Sequence, residues 1–330
     1  MTLLKKTWPG HDEIIDRLTQ SSGVTHRNLI LPLERYPELK GFEERNKIYT
    51  MSILDLAENC VKKLQERTGF NWSDLGLIVS TSITGIAVPS IDARLMNRLP
   101  IPHHIARLPL FGLGCLGGVA AINRAKDLLE AYPQKLALVL AAEACTLTFQ
   151  FQDLSMANMV ACSLFGDGAG AVLLAGKDHP LARAGKLEIL DTGSFFYPNT
   201  EEVMGWEMWD SGFKVVLSGS VPSMVEKFVG HDIETFLSLH KLSTENINNI
   251  ISHPGGPKVL VALSKVLKKE ESYLMHSWQS LAQQGNMSSV SVFNVLERSL
   301  NEKSLRSGYG LGLAMGPAFN TELTLYQVTP

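Results

Sequence analysis

Three residues spread along this chain are of types that could act together on an acyl group. They are Cys115 in the glycine-rich run LFGLGCLGGVAAI, His253 in ISHPGGP and Asn286 in QQGNMSSV. Cys115 falls where the strand candidate LPLF gives way to the helix candidate VAAINRAKDLL, so its thiol sits at a strand-to-helix turn beside unpaired helix N–H groups. Those dipoles favour thiolate over thiol, and the flanking glycines let backbone and substrate approach closely. The plainer alternative is a small buried hydrophobe, and the glycine context weighs against it. His253 ends an apolar strand candidate, and the Pro-Gly-Gly-Pro after it extends neither strand nor helix, so the ring projects from a rigid turn. Asn286 precedes a helical stretch and reads equally as an N-cap or as an amide donor in a site. Together they form a Cys-His-Asn set in which the histidine supports the thiolate.

Two other patterns compete for these residues. Gly112, Gly114 and Gly117 formally match GxGxxG, with Glu143 just past the next strand candidate, as a dinucleotide fold would require. That reading leaves ISHPGGP and QQGNMSSV without a role. Papain-like proteases use cysteine, histidine and asparagine in the same chain order, but LGCLGGV lacks their local signature.

The surrounding chain must bring the three residues together. Amphipathic helix candidates at 48–69 and 119–131 alternate with the strand candidates LGLIVSTS, LALVLAA and GDGAGAVLLAG, the pattern of α/β layering. The composition turns polar at GKDHPLARA (176–184), which divides the chain into a half carrying the cysteine (1–178) and a half carrying the histidine and asparagine (179–330). The second half reads as LEILDTGS, a loop rich in Trp and Met at 203–212, a helix over 221–239, further helices, and the closing strands GYGLGLAMG and TELTLYQV.

With 330 residues, 45% of them hydrophobic and 19% charged, the chain can bury a substantial core. A net charge of −3 with scattered lysines and arginines gives no basic stripe for nucleic acid. The first residues lack the apolar run of a signal peptide and LALVLAA is too short to span a bilayer, so a cytoplasmic protein with no membrane span is expected. Cys60, Cys115, Cys145 and Cys162 have no zinc spacing and are too few for a disulfide scaffold, so reduced thiols and no metal are expected.

Seven segments taken in order make the chain resemble type III polyketide synthases, the chalcone-synthase-like branch of the thiolase-fold condensing enzymes. They are TSITGIAVPSIDARL (81–95), GLGCLGGVAAINRAKDLL (112–129), SLFGDGAGAVLL (163–174), GFKVVLSGSVP (212–222), SHPGGPKVL (252–260), GNMSSVSVFNVLE (285–297) and GLAMGP (312–317). Bacterial members are the most similar, on YPNTEEVMGW (197–206) and the lysine after HPGGP.

The resemblance implies an α/β fold of two similar halves in five layers, α/β/α/β/α, usually as a homodimer. It implies no cofactor, coenzyme A thioesters serving as substrates. Cys115 would take an acyl group from an acyl-CoA and His253 would hold it as thiolate. His253 and Asn286 would then donate to the thioester oxygen of malonyl-CoA while carbon dioxide leaves. Repeated Claisen condensation and cyclisation would follow.

The two phenylalanines that gate the pocket of plant members fall on Leu187 and Val215, an aliphatic mouth suited to a fatty acyl-CoA starter and an alkylpyrone or alkylresorcinol product. Thr84, Cys145 and Ser288 fall at other pocket-lining positions, although Cys145 reads equally as an inert core thiol. Arg27 falls where the family has a basic residue near the coenzyme A phosphates.

The sequence departs from the family in two places: it lacks the strand-forming segment that precedes SGVTHR, and it has Gly316-Pro317-Ala318 where members have Gly-Pro-Gly, crowding the site if that backbone needs positive φ. The competing functions are a ketoacyl synthase III-like enzyme making one condensation, a cysteine hydrolase of thioesters or peptides, and a non-enzymatic acyl-CoA-binding module.

Overall fold

The computed structural model describes residues 2–302 and 304–328. In the first half the order is α1 (Thr2–Thr7), α2 (Asp12–Ser22), α3 (Gly41–Thr68), β1 (Leu75–Thr81), α4 (Ile91–Leu95), β2 (Ala106–Leu110), α5 (Gly117–Ala131), β3 (Leu136–Ala144), α6 (Met156–Leu164) and β4 (Asp167–Ala175). The second half runs β5 (Leu187–Phe196), β6 (Met204–Trp209), β7 (Gly212–Leu217), α7 (Val221–Met224), α8 (Gly230–Ser238), β8 (Ile247–Ser252), α9 (Pro257–Leu267), α10 (Met275–Gln284), α11 (Ser291–Asn301), β9 (Gly308–Gly316) and β10 (Asn320–Val328).

One sheet has the order β2-β1-β3-β4 and the other β5-β10-β9-β8. The pairing repeats between them. β1 lies parallel to β3 as β8 does to β9, and β3 lies antiparallel to β4 as β9 does to β10. To this shared core the first half adds β2, parallel to β1, and the second adds β5, antiparallel to β10. Among the described residues nothing pairs with the outer edge of β4, where the second half has β5.

Side-chain alternation along β3 shows how the layers form. Leu136, Leu138 and Leu140 point to the outer face and pack with Ile53, Ala57 and Val61 of α3. Ala137, Val139 and Ala141 point the other way, and their small size lets α5 lie close. The inner layer is α5 with α11, whose Val292, Phe293 and Val295 share one core with Ala314 of β9 and Tyr326 of β10. The outer face of the second sheet is covered by α8 and α9 through Ile233, Phe236, Leu260 and Leu263. These layers make the thiolase-like α/β/α/β/α fold.

Polar contacts tie the halves across the inner layer. Asn123 Nδ2 donates to Glu322 Oε2 (2.7 Å) and to the Leu323 carbonyl (3.0 Å), while Arg124 pairs with Glu322 at 2.8 Å. Two local expectations change. Residues 203–212 form the hairpin β6–β7, in register from Met204 with Leu217 to Trp209 with Gly212, rather than a loop. The single helix expected over 221–239 is α7 and α8 joined through a π turn at Val225–Val229.

Candidate active site

Cys115 lies in a 3-10 turn, Gly114–Leu116, that leads into α5. Gly114 has φ +52° and an added Cβ would stand 2.7 Å from Pro317 Cδ, so the turn has no room for a side chain there. At Gly118 an added Cβ would lie 2.2 Å from the Ser289 carbonyl oxygen. The start of α5 is thus pressed against the loop of the other half that carries Asn286. The glycines around Cys115 serve this approach.

His253 follows β8 and is fixed by its N–H to the Leu313 carbonyl (2.9 Å) and by Gly255 N–H to its own carbonyl (3.0 Å). The ring is buried and neither nitrogen has a hydrogen-bond partner. Asn286 is not a helix cap, since α11 begins at Ser291. Its backbone bridges to the first half, N–H to the Leu164 carbonyl (2.8 Å) and carbonyl from Gly166 N–H (3.0 Å). Its side-chain oxygen accepts from Ser288 N–H (2.8 Å) and one amide hydrogen goes to the Gly255 carbonyl (3.2 Å). The second amide hydrogen faces the Cys115 thiol.

Cys115, His253 and Asn286 all line one cavity of about 350 Å³. Its walls are apolar, built from Val160, Leu164 and Phe165 at the end of α6, Met204 and Trp206 of β6, and Val215 and Leu217 of β7. Phe165 and Trp206 stack obliquely with ring centres 6.0 Å apart. No carboxylate lines it, among the described residues.

Dehydration governs the charges. Burial pushes the Cys115 thiol up to about 11, against the opposing pull of Ser288 and Asn286 side-chain hydrogen bonds. Burial pushes His253 down to about 3. The helix start therefore does not by itself give a thiolate here; each group, considered singly, is neutral at pH 7.

The remaining sequence candidates separate. Val215 lines the cavity. Leu187 does not: it opens β5 opposite Val328 and packs on the inner core. An ungapped count back from Pro198 placed it at the mouth, and the aromatics that line the cavity are Phe165 and Trp206. Arg27 is also absent from the cavity; its guanidinium is largely buried, donates to the Phe165 carbonyl (3.1 Å) and lies 5.8 Å from the Phe149 ring centre. Thr84 and Cys145 are buried outside the lining, Cys145 in the outer core of the second half. Ser288, with φ +50°, adjoins Cys115 rather than the open cavity, its buried hydroxyl otherwise unpartnered.

One important residue was read only as part of a dinucleotide pattern. Glu143, the single acid in the apolar strand β3, is buried and accepts from Ile83 N–H (3.0 Å), Thr84 N–H (3.2 Å), Thr84 Oγ1 (2.8 Å), Ser82 Oγ (3.2 Å) and Ser289 Oγ (2.5 Å). It joins the 82–84 loop to the loop bearing Asn286 and Ser288, and so holds the two halves of the site in register. Burial pushes its carboxyl pKa upward against these donors. Thr84 therefore acts on the site through Glu143.

The family model for chalcone and stilbene synthases, N-terminal domain, matches residues 6–178, and the C-terminal domain model matches 188–329. The chain belongs to the chalcone and stilbene synthase family. A 1,3,6,8-tetrahydroxynaphthalene synthase of Streptomyces peucetius subsp. caesius is 42% identical to it over 96% of this chain and 84% of the relative. A putative chalcone synthase of Bacillus subtilis (strain 168) is 38% identical over 94% and 89%. The crystal structure of 1,3,6,8-tetrahydroxynaphthalene synthase from Streptomyces coelicolor A3(2) superposes with a TM-score of 0.93 at 28% identity, covering 100% of this chain and 94% of that one. This member of the family is a type III polyketide synthase, a cysteine-dependent enzyme of decarboxylative condensation. No helix of the described residues is long and apolar enough to cross a membrane.

Proposed function

We propose that Cys115 carries the growing acyl chain and that His253 and Asn286 hold the malonyl thioester oxygen. The observation that carries this reading is one apolar cavity into which a thiol, an imidazole and a carboxamide open with no carboxylate beside them. An enolate made by proton abstraction would need a base; one made by losing carbon dioxide needs only donors.

Proton transfer from Cys115 to His253 gives the thiolate, which attacks the acyl-CoA carbonyl. Coenzyme A leaves as thiolate and is protonated. Malonyl-CoA then loses carbon dioxide, and the electron pair of the broken C–C bond becomes an enolate whose oxygen takes hydrogen bonds from His253 and Asn286. The enolate carbon attacks the Cys115 thioester, sulfur leaves as thiolate, and the chain, two carbons longer, stands on coenzyme A.

The apolar walls support a fatty acyl starter and an alkylpyrone or alkylresorcinol product. A second reading has support of its own: the 42% identical relative is named for tetrahydroxynaphthalene, a ten-carbon skeleton, and a chain built from malonyl units alone would fit it.

The two halves, 1–178 and 179–330, are the units of the fold in this reading, with one sheet in each. The protein acts as a homodimer through the β2 edge, where Phe111 is 58% exposed at the strand end and Val88 is 84% exposed nearby. It works in the cytoplasm, consistent with four unpaired cysteines.

The test is carbon-14 malonyl-CoA given alone and with acyl-CoAs of stepped length, read as carbon dioxide release and product mass. Alkylpyrones or resorcinols that track the starter support the first product class, and a naphthalene from malonyl-CoA alone supports the second. Wild-type protein releasing no carbon dioxide, or Cys115→Ser elongating chains at the wild-type rate, would end the proposal.

A further inference from the structure

We infer that Lys258 binds the phosphate at the far end of the pantetheine arm that delivers the thioester. This rests on the reading of thioester substrates above and adds the residue that recognises their carrier.

The cavity walls carry one formally charged side chain among the described residues, and it is Lys258. It lies five residues after His253 in HPGGPK, in the first turn of α9, and is exposed where His253 and Asn286 are buried. It therefore marks the solvent end of the cavity whose dry end holds the thiol. Its ammonium makes no hydrogen bond or ion pair among the described residues, and its place on the cavity wall leaves it available to a ligand that fills the mouth.

The C-terminal end of α2 abuts the start of α9, where a Cβ on Gly23 would be 3.7 Å from Pro257 Cγ, and Ser21 and Ser22 line the rim. α9 starts at Pro257, which has no N–H, and the Val259 and Leu260 N–H groups both donate to the Gly256 carbonyl (3.1 Å), so the positive end of an eleven-residue helix lies beside the ammonium with the Lys258 N–H as its remaining early donor. Arg27, the sequence candidate for this task, is spent inside the protein on the Phe165 carbonyl and the Phe149 ring.

A thioester that enters thiol end first leaves its phosphate end at the mouth. Coenzyme A and the phosphopantetheine arm of an acyl carrier protein share that phosphate ester, and Lys258 is placed to meet either.

Binding is measured first because it needs no turnover. The full-length protein and its Lys258→Ala and Lys258→Arg variants are titrated with coenzyme A, 4′-phosphopantetheine and pantetheine. Lys258→Ala should weaken the two phosphate-bearing ligands about tenfold and leave pantetheine unchanged, with Lys258→Arg close to wild type. Equal loss for all three ligands, or loss for none, overturns the inference. Turnover then separates the sources. A KM increase of about tenfold for malonyl-CoA, with kcat and the KM for malonyl-N-acetylcysteamine unchanged, assigns the lysine to coenzyme A. The same change confined to a malonylated acyl carrier protein assigns it to the carrier. A wild-type protein that turns over no malonyl thioester defeats the reading of function, and the binding comparison still decides the role of Lys258.

Discussion

Burial moves the two titrating groups of the site in opposite directions, and each direction has a sign that stability measurements can read. His253 is held near 3 in the folded protein, below its ordinary 6.5. Between those values the unfolded chain binds a proton that the folded chain refuses, so the His253 contribution is complete above pH 6.5 and is lost as pH falls toward 3. Its slope is at most about 1.4 kcal/mol per pH unit. Cys115, raised to about 11, works the other way: its contribution is complete below about 9 and is lost as pH rises through 11. Asp167, pushed up to about 6 by burial, opposes His253 between 3.8 and 6. The comparison of His253→Asn with wild type therefore isolates the histidine. The variant should show a flatter acid limb of urea midpoint against pH from 4 to 6.5, and an unchanged limb would contradict the dry imidazole.

Asn286 offers a second prediction at this scale. In the proposed mechanism the amide hydrogen that faces Cys115 serves the enolate oxygen rather than acyl transfer, so Asn286→Ala should slow decarboxylation about 10²–10³-fold while Cys115 still acquires an acyl adduct by mass spectrometry. Loss of both steps together would place the amide in acyl loading as well.

The turn between β9 and β10 carries the departure at Ala318. Its φ is +53°, the left-handed region foreseen from the family glycine, and its N–H donates to the Met204 carbonyl (3.0 Å), which holds β6 as a wall of the cavity. Alanine is strained in this region by about 1–2 kcal/mol, partly offset by the entropy that glycine would lose. Ala318→Gly should thus raise the urea unfolding free energy by about 0.5–1 kcal/mol with an unchanged denaturant slope. A decrease would show that the methyl group packs usefully. The start of α5 behaves in the opposite way. Gly118→Ala drives a methyl group into the Ser289 carbonyl, which should cost about 1–3 kcal/mol and shift the loop bearing Asn286, lowering activity more than the stability loss explains.

At the scale of the molecule, β2 is largely exposed, whereas its neighbours β1 and β3 are buried and β4 is half-buried. An apolar edge with Phe111 at its end is a surface that another copy would cover. Phe111→Glu should convert the dimer to a monomer in sedimentation equilibrium. A wild-type chain that sediments as a monomer at working concentration would remove the dimer from the proposal.

What was legible in the sequence was local. A compact apolar run marked β3, and apolar residues at helical spacing marked helices around it, because backbone period is a short-range property. Glycines at Cys115 and the Pro-Gly-Gly-Pro after His253 identified turns that leave a side chain at the end of an element. Ordered motifs along the chain indicated the family, and with it the layers. Tertiary structure decided everything that depends on distance through space. Arg27 and Leu187 were assigned by counting along the chain, yet Arg27 is turned inward onto the Phe165 carbonyl and Leu187 joins the inner core. Phe165 and Lys258 reach the cavity only because α6 and α9 meet the same opening from different halves. The charge states also waited for the fold: a thiol at a helix start favours its anion by local dipoles, but the packing that buries His253 and half-buries Cys115 outweighs that preference, and desolvation is a property of the packed chain rather than of any segment.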